Sequence, residues 1–199
     1  MPHYFDESPS AHSAPASVRL LLPDLDLELA TDRGVFAGAG VDPGTKLLLL
    51  DGPRPAPDAD GDLLDLGAGY GPIACALASW APAATVWAVE VNERARSLCA
   101  TNAETAGLGN VRVVAPDEVP GDLRFDGIWS NPPIRIGKAA LHDLLALWLG
   151  RLASGAAARL VVQKHLGSDS LQRWLIEQGW PTTRLRSSAG YRILEVIAA

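Results

Sequence analysis

An asparagine followed by two prolines ends one of the apolar segments of this sequence. The segment FDGIWSNPPIRIGK holds Asn131, Pro132 and Pro133 directly after a predicted strand. The prolines fix the backbone and remove two N–H donors, which leaves carbonyl groups exposed at the end of the strand. The Asn131 side-chain oxygen and the Pro132 carbonyl could then accept both hydrogens of a substrate amine and direct its lone pair. The alternative is a rigid turn with a side-chain cap and no ligand.

A glycine-rich turn lies further upstream, in the run DLLDLGAGYGP. A predicted strand ends near Asp65, and Gly67, Gly69 and Gly71 lead into a helix. Glycines let backbone N–H groups approach a ligand closely, and a helix N-terminus favours a polar or anionic group. The third residue after Gly69 is Pro72 rather than glycine, so the turn lacks the fingerprint of NAD-binding proteins. A tight turn without a ligand is again the alternative.

Acidic residues follow the next two predicted strands. Glu90 ends the strand in ATVWAVEVN, about 20 residues beyond the glycines, where a carboxylate can accept both hydroxyl groups of a ribose. Asp117, in VVAPDEV, is placed to accept a hydrogen bond from an adenine amine, although any loop acid would give the same pattern. Together with the glycine turn, Glu90 favours a nucleoside-containing cofactor over a solvated charge at a strand end.

These segments together resemble the class I S-adenosylmethionine-dependent methyltransferases over residues 61–197. The run GVFAGAGVDPGTKLLL is also similar to the segment that precedes the glycine motif in their small-domain family. That family includes the ribosomal RNA guanine-N2 methyltransferases. The resemblance implies S-adenosyl-L-methionine as the cofactor, whereas each motif by itself would not specify it.

The resemblance also implies which residues hold the cofactor. The glycine turn and the acid before it would hold the methionine end, Glu90 the ribose and Asp117 the adenine. Phe36, in the glycine-rich loop ahead of the turn, would lie near the cofactor. The implied set is Asp65, Gly67, Gly69, Glu90, Asp117 and Phe36.

The acceptor side departs from the family pattern at one position. The resemblance implies that the target amine binds at Asn131, Pro132, Pro133 and Ile134. An aromatic residue commonly follows this turn in the family and can stack on a flipped base, whereas here Ile134 and Arg135 follow. Arg135 would stack through its guanidinium plane or bind phosphate. Lys164, after a later strand, is the second expected substrate contact, with a surface charge as its alternative.

Charge is unevenly placed along the chain. The net charge is −6, yet residues 132–192 carry nine Lys and Arg against three acidic residues. A basic surface beside the site would favour RNA as the partner, because phosphates attract such surfaces. The alternative is an asymmetry of the sequence that disappears on folding.

The composition excludes several classes of protein. Of the 199 residues, 48% are apolar and 20% are charged, as in a folded domain. Cys75 and Cys99 are too few for a disulfide framework or a four-ligand zinc site, and the histidines lack metal-ligand spacing. Glycine and proline break the uncharged run from Leu66 to Val89, so it predicts no membrane helix. We expect a cytoplasmic protein with neither metal nor membrane partner.

Short apolar runs alternate with helical patterns from Gly61 onward, as in a parallel sheet with crossover helices. We predict an α/β, Rossmann-like fold with a seven-stranded, mostly parallel sheet whose last strand is antiparallel. A short N-terminal β cap precedes this sheet. The strands that can be placed are 62–66, 85–90, 111–114, 125–130, 157–163 and 191–197. The predicted helices are 71–80, 93–106, 137–152 and 168–178.

These elements predict three parts of the chain. Residues 1–16, rich in Ser, Pro and Ala, form a flexible arm that buries little apolar surface. Residues 17–57 form the β cap and a glycine-rich loop, followed by a short buried segment at Lys46 to Leu50. Residues 58–199 form the methyltransferase domain.

The expected reaction is methylation of an exocyclic guanine amine, in ribosomal RNA. Positioning of the amine by Asn131 would be the main contribution of the protein, because such a displacement needs no strong base. One alternative is a protein glutamine N-methyltransferase, since those enzymes also use an Asn-Pro-Pro turn, typically followed by Tyr. Another is a non-catalytic module that binds S-adenosylmethionine or RNA. The oligomeric state is not predicted.

Overall fold

The computed structural model describes residues 12–37 and 40–198. The N-terminal half contains β1 (Ala16–Leu22), β2 (Leu25–Thr31), α1 (Pro43–Asp51), β3 (Asp62–Leu66), α2 (Pro72–Trp80), β4 (Thr85–Val89) and α3 (Glu93–Thr105). The C-terminal half contains β5 (Val111–Val114), β6 (Phe125–Ser130), α4 (Lys138–Leu149), β7 (Leu152–Gln163), α5 (Ser168–Glu177), β8 (Thr182–Ser188) and β9 (Tyr191–Ile197).

Seven of these strands form one sheet in the order β5-β4-β3-β6-β7-β9-β8. The five strands from β5 to β7 in this order are parallel, and β9 runs antiparallel to both of its neighbours. The predicted fold is therefore confirmed, including its antiparallel last strand. Parallel strands bring their carboxyl ends to one edge, so the glycine turn, Glu90 and Asn131 emerge on the same side.

Helices cover both faces of the sheet, and alternate strand residues pack on opposite sides. Leu63 belongs to a buried cluster that includes residues of α1, α2 and α3, whereas its neighbour Leu64 belongs to a cluster that includes residues of α4 and α5. Both side chains are buried. Burial on both faces explains the continuous apolar runs that predicted these strands. No helix among the described residues is long and apolar enough to cross a membrane.

Three local features differ from the sequence prediction. The segment expected to be merely buried at Lys46 to Leu50 belongs to α1, which Asp42 caps. The helix predicted for 137–152 ends at Leu149, and β7 begins at Leu152 instead of residue 157. Residues 153–156 of β7 are small and at least partly exposed, so they carry no apolar strand pattern. β8 was not placed because its sequence TTRLRSS is almost entirely exposed at the sheet edge.

The β1–β2 hairpin forms the predicted N-terminal cap and is fixed to the main domain by hydrogen bonds. The Asn102 side chain on α3 accepts from Ala30 N at 2.7 Å and donates to Ala30 O at 2.9 Å. The same amide donates to Tyr70 O in the glycine turn. Asp32, directly after β2, lies 3.7 Å from Arg94 of α3. This attachment holds the following loop against the carboxyl edge of the sheet.

The predicted flexible arm is only partly within the described residues. Residues 1–11 lie outside them, as do residues 38 and 39 of the glycine-rich loop. Ser13 Oγ donates a 2.7 Å hydrogen bond to Asp32, and Ala14 N donates to the same carboxylate. Ala16 already belongs to β1, one residue before the expected start of the cap. The last residues of the arm therefore contact the start of the glycine-rich loop.

Candidate active site

A cavity of about 590 Å³ opens at the carboxyl edge of the sheet. Residues after β3, β4 and β5 line one part of it, and residues after β6 and β7 line the other. The Ser130 hydroxyl donates a 2.7 Å hydrogen bond to Leu66 O, which ties the ends of β6 and β3 together. The glycine turn and the Asn-Pro-Pro turn therefore share one cavity, as the sequence predicts.

The glycine turn is shaped to leave space for a ligand. Gly67 and Gly69 have φ values of +75° and +58°, and no atom lies within 4 Å of where a Cβ would stand on either residue. Both line the cavity. Gly71, by contrast, needs its hydrogen for packing, because a Cβ there would lie 2.6 Å from Cys99 Sγ. The first two glycines face the cavity and the third closes the turn against α3.

Glu90 joins the glycine turn to the next strand. Its Oε2 accepts a 2.9 Å hydrogen bond from Gly69 N, and its Oε1 accepts one of the same length from Asn92 N. The side chain is 8% exposed and lines the cavity. Burial raises the pKa of Glu90, and the backbone hydrogen bonds oppose that rise. Each oxygen keeps a lone pair for a further donor, as binding of ribose hydroxyl groups requires.

Asp65 lies beneath the glycine turn rather than on the cavity wall. Its Oδ2 accepts a 2.8 Å hydrogen bond from Ala74 N in the first turn of α2. Its Oδ1 is buried and has no hydrogen-bond partner among the described residues. Complete burial, and then the nearby Glu90, raise the pKa of Asp65 to about 8. The direct contact that the structure gives Asp65 is to the helix that follows the turn.

Of the two remaining residues predicted to bind the cofactor, Phe36 lies in the cavity wall and Asp117 does not. Phe36 lines the cavity beside Val35 and is 39% exposed. Asp117 is exposed in the short 3-10 turn after β5, and Pro116 lines the cavity in its place. Asp117 is thus next to the cavity wall but outside it.

Asn131 has its amide nitrogen tied to α1. Its Nδ2 donates to Asp42 Oδ1 at 2.8 Å and to Thr45 Oγ1 at 3.0 Å. No hydrogen bond to its Oδ1 is present among the described residues, and Asn131 lines the cavity. The Pro132 carbonyl accepts from Ile134 N at 2.8 Å, around Pro133 at φ −74° and ψ 70°, an inverse γ-turn. One lone pair of that carbonyl remains, so both expected acceptors are available.

Some of the predicted substrate-binding residues line the cavity, and Lys164 does not. Ile134 and Arg135 line the cavity, and Arg135 is exposed. Lys164 is exposed and lies outside the cavity wall, where its neighbour Gln163 takes the lining position. Lys164 N donates a 2.8 Å hydrogen bond to Gly190 O, which places it at the turn before β9.

Sequence reasoning missed Tyr191 and Asp42 on this wall, and Thr45 behind it. Gln163 ends β7 and pairs in register with Tyr191, the first residue of β9, and both line the cavity. Asp42 lines it too, and Thr45 lies just behind. Asp-Pro is a recognised helix start, so the sequence could have indicated α1. The sequence contains no local signal for the contact between Asp42 and Asn131.

The basic C-terminal segment is partly neutralised on folding. Arg184 and Arg192 pair with Asp169, Arg186 pairs with Asp51, and Arg159 pairs with Glu195. The other five basic residues of this segment make no ion pair with the described residues: Arg135, Lys138, Arg151, Lys164 and Arg173. Within residues 12–37 and 40–198, no group of three His, Cys, Asp or Glu side chains is arranged to hold a metal ion.

Comparisons with known proteins agree with this architecture. The family model of the methyltransferase small domain matches residues 26–195. The Bacillus subtilis (strain 168) protein YbxB is 34% identical over 97% of this chain and 96% of its own length. The ribosomal RNA small subunit methyltransferase C of Shewanella amazonensis is 31% identical over 83% of this chain and 49% of its own length. The chain thus spans about half the length of that enzyme.

A solved structure shares the fold. It is the 16S rRNA N2 methyltransferase RsmC of T. thermophilus in complex with AdoMet and guanosine. The TM-score is 0.79 over 96% of this chain and 52% of that chain, at 24% sequence identity. The family match covers most of the chain, including the glycine turn, Glu90 and the Asn-Pro-Pro turn. The chain therefore belongs to the methyltransferase small-domain family and, as the sequence predicts, is an S-adenosylmethionine-dependent methyltransferase.

Proposed function

We propose that this enzyme methylates the exocyclic amine of a guanine in ribosomal RNA. The observation that carries the proposal is the free Oδ1 of Asn131, which lies with the Pro132 carbonyl in the same cavity as the glycine turn. Two acceptors at this point suit an amine that presents two hydrogens. Bound S-adenosylmethionine supplies an electrophilic methyl group on its sulfonium sulfur.

The cofactor half of the cavity fits a nucleoside with an amino-acid tail. Gly67 and Gly69 leave open space above the turn, where a side chain would block a ligand. Glu90 presents a buried carboxylate whose geometry is fixed by two backbone donors, which suits the ribose hydroxyl groups. Asp117, beside Pro116, remains our proposed contact for the adenine amine. Asp65 would act through the turn that it supports.

The acceptor half of the cavity supplies orientation rather than a base. Asn131 Oδ1 and the Pro132 carbonyl would each accept one hydrogen of the amine, and the nitrogen lone pair then points away from both. Neither group can take up a proton at neutral pH, so the proton lost by the methylated amine passes to solvent. Positioning of this kind can supply a large part of a rate enhancement.

Guanine and RNA are supported by the relatives and by the cavity wall. The Shewanella enzyme is named for ribosomal RNA, and the T. thermophilus enzyme is an N2 methyltransferase with guanosine bound. Tyr191 supplies an aromatic ring to the wall, although none follows the Asn-Pro-Pro turn. Arg135 and Lys164 are exposed cations on the acceptor side, suited to RNA phosphates.

The test is transfer of labelled methyl groups from S-adenosylmethionine into naked ribosomal RNA, ribosomal subunits and a protein extract. We expect label in RNA or subunits, and N2-methylguanosine after nuclease digestion. Asn131→Ala removes only the side-chain acceptor, so its turnover should fall by about 10² while its cofactor affinity stays nearly unchanged. Label in protein as N-methylglutamine would replace guanine by glutamine as the acceptor. Wild-type turnover by Asn131→Ala would show that the turn is only structural.

A further inference from the structure

We propose that Asp42 and Thr45 are positioning residues that fix the amide of Asn131 with its oxygen toward the acceptor amine. The inference rests on the proposed function, because it explains how the Asn131 acceptor is aimed. It concerns residues of α1 and its cap, which lie 86 and 89 positions before Asn131 in the chain.

An asparagine amide can turn by about 180° and exchange its oxygen and nitrogen, because the two ends have nearly the same size. Here the Asp42 carboxylate oxygen lies 2.8 Å from Nδ2, and Thr45 Oγ1 lies 3.0 Å from the same atom. In the turned state, Asn131 Oδ1 would face the carboxylate, and two acceptors would be in contact. Asp42 therefore selects one orientation, which presents Oδ1 to the cavity.

Asp42 is itself held in place by the end of the helix. Its Oδ1 accepts hydrogen bonds from Gly44 N at 2.8 Å and Thr45 N at 3.0 Å. Pro43 follows as the first helical residue, and Thr45 is only 4% exposed. One carboxylate oxygen thus caps α1 and bonds Asn131, so the orientation of the amide is set by a fixed helix terminus.

The packing around α1 leaves little room for this arrangement to shift. A Cβ on Gly44 would lie 2.6 Å from Cε1 of Tyr191, so the Tyr191 ring packs directly on the helix N-terminus. Tyr191 also lines the acceptor part of the cavity. The same few side chains therefore form the wall of the acceptor pocket and the support of its hydrogen-bond acceptor.

Two pairs of variants separate this role from helix capping. Asp42→Ser keeps a side-chain cap for α1 but is too short to reach Asn131, whereas Asp42→Asn keeps an oxygen acceptor at full length. Thr45→Val removes the second acceptor with little change in shape, and Thr45→Ser retains the hydroxyl. Asp51→Ala, at the other end of α1, is the control for helix stability, since the ion pair that Asp51 makes among the described residues is with Arg186 at the surface.

We expect kcat for methyl transfer to fall about tenfold in Asp42→Ser and about threefold in Thr45→Val, since each loses a hydrogen bond to the amide. Asp42→Asn and Thr45→Ser should recover most of this loss. KM and the cofactor affinity should stay within about twofold in all four. Rates are compared on whichever of the three methyl-accepting fractions is labelled by the wild type. Equal kcat in Asp42→Ser and Asp42→Asn would overturn the proposal.

An NMR measurement tests the contact without any substrate. With selective ¹⁵N-Asn labelling, the side-chain NH₂ protons of Asn131 should exchange slowly with solvent in the wild type and much faster in Asp42→Ser combined with Thr45→Val. If the wild type transfers no methyl group to RNA but these protons are protected, the guanine proposal fails and the orientation of Asn131 stands. Fast exchange in the wild type would overturn the orientation, whatever the acceptor is.

Discussion

The backbone nitrogen of Gly69 donates a 2.9 Å hydrogen bond to the carboxylate of Glu90. This bond joins the turn after β3 to the end of β4, so the two halves of the expected cofactor site hold each other. Asn92 N donates a hydrogen bond to the other carboxylate oxygen of Glu90. Asn92 Oδ1 in turn accepts one from Ala95 N and so caps the start of α3. The conformation of the glycine turn therefore depends on the same side chain that would bind the ribose.

Replacing Glu90 by alanine should reduce the affinity for S-adenosylmethionine at least about tenfold. The change removes the acceptor for two hydroxyl groups, and hydrogen bonds to charged groups contribute about 1.5 to 3 kcal/mol each. Calorimetric titration measures the effect, with far-UV circular dichroism as the control for folding. Glu90→Gln keeps one oxygen and should bind with intermediate affinity. Undiminished binding by folded Glu90→Ala would contradict the assignment of Glu90.

Asp65 should make the free energy of unfolding depend on pH. Its folded pKa is raised to about 8 from an ordinary value of 3.8, so the folded state favours the protonated carboxyl. The associated stability is complete below pH 4 and is lost as the pH rises toward 8. Asp65→Asn keeps an oxygen for Ala74 N and cannot ionise. Urea unfolding of both proteins at pH 5 and pH 8.5 should show a larger loss for the wild type, on the order of a few kcal/mol.

A parallel decline of both proteins over this pH range would contradict the prediction. Glu90 is also buried with a raised pKa, so its contribution changes in the same direction in both proteins. The difference between wild type and Asp65→Asn therefore isolates Asp65. The amide nitrogen of the variant replaces the oxygen that lacks a partner, which keeps the substitution similar in shape.

Alanine at Gly69 should mainly weaken cofactor binding, whereas alanine at Gly71 should mainly reduce stability. At Gly69 a methyl group would extend into open space, so it should obstruct S-adenosylmethionine and weaken its binding. The free energy of unfolding should fall by only about 1 kcal/mol, the cost of an alanine in the left-handed conformation. At Gly71 the methyl group would meet Cys99 Sγ at 2.6 Å, so stability should fall by about 1 to 3 kcal/mol. Thermal unfolding and calorimetric titration on both variants measure the two effects. Equal loss of stability in both would show that the turn does not distinguish them.

Local patterns predicted the parts of the site that lie within one strand and its following turn. Glu90 and Asn131 each follow an apolar run, and the sheet then brings such strand ends to one edge. The partners of Asn131 could not be predicted, because Asp42 reaches it across 89 residues of sequence. Tyr191 was missed for the same reason, since its place in the cavity comes from pairing with Gln163. These contacts depend on packing between elements, which single segments do not encode.

Arg135 provides a test of substrate binding that is separate from chemistry. It is exposed at the cavity and makes no ion pair with the described residues, so its charge is available to RNA. Arg135→Ala should raise KM for RNA severalfold and lower the salt slope of binding by about 1, as loss of one phosphate contact does. The single-turnover rate constant for methyl transfer should change less than twofold. Arg173→Ala is the matched control, because this exposed arginine of α5 lies outside the cavity wall and carries the same charge. An equal rise of KM in both variants would assign the effect to net charge rather than to the position of Arg135.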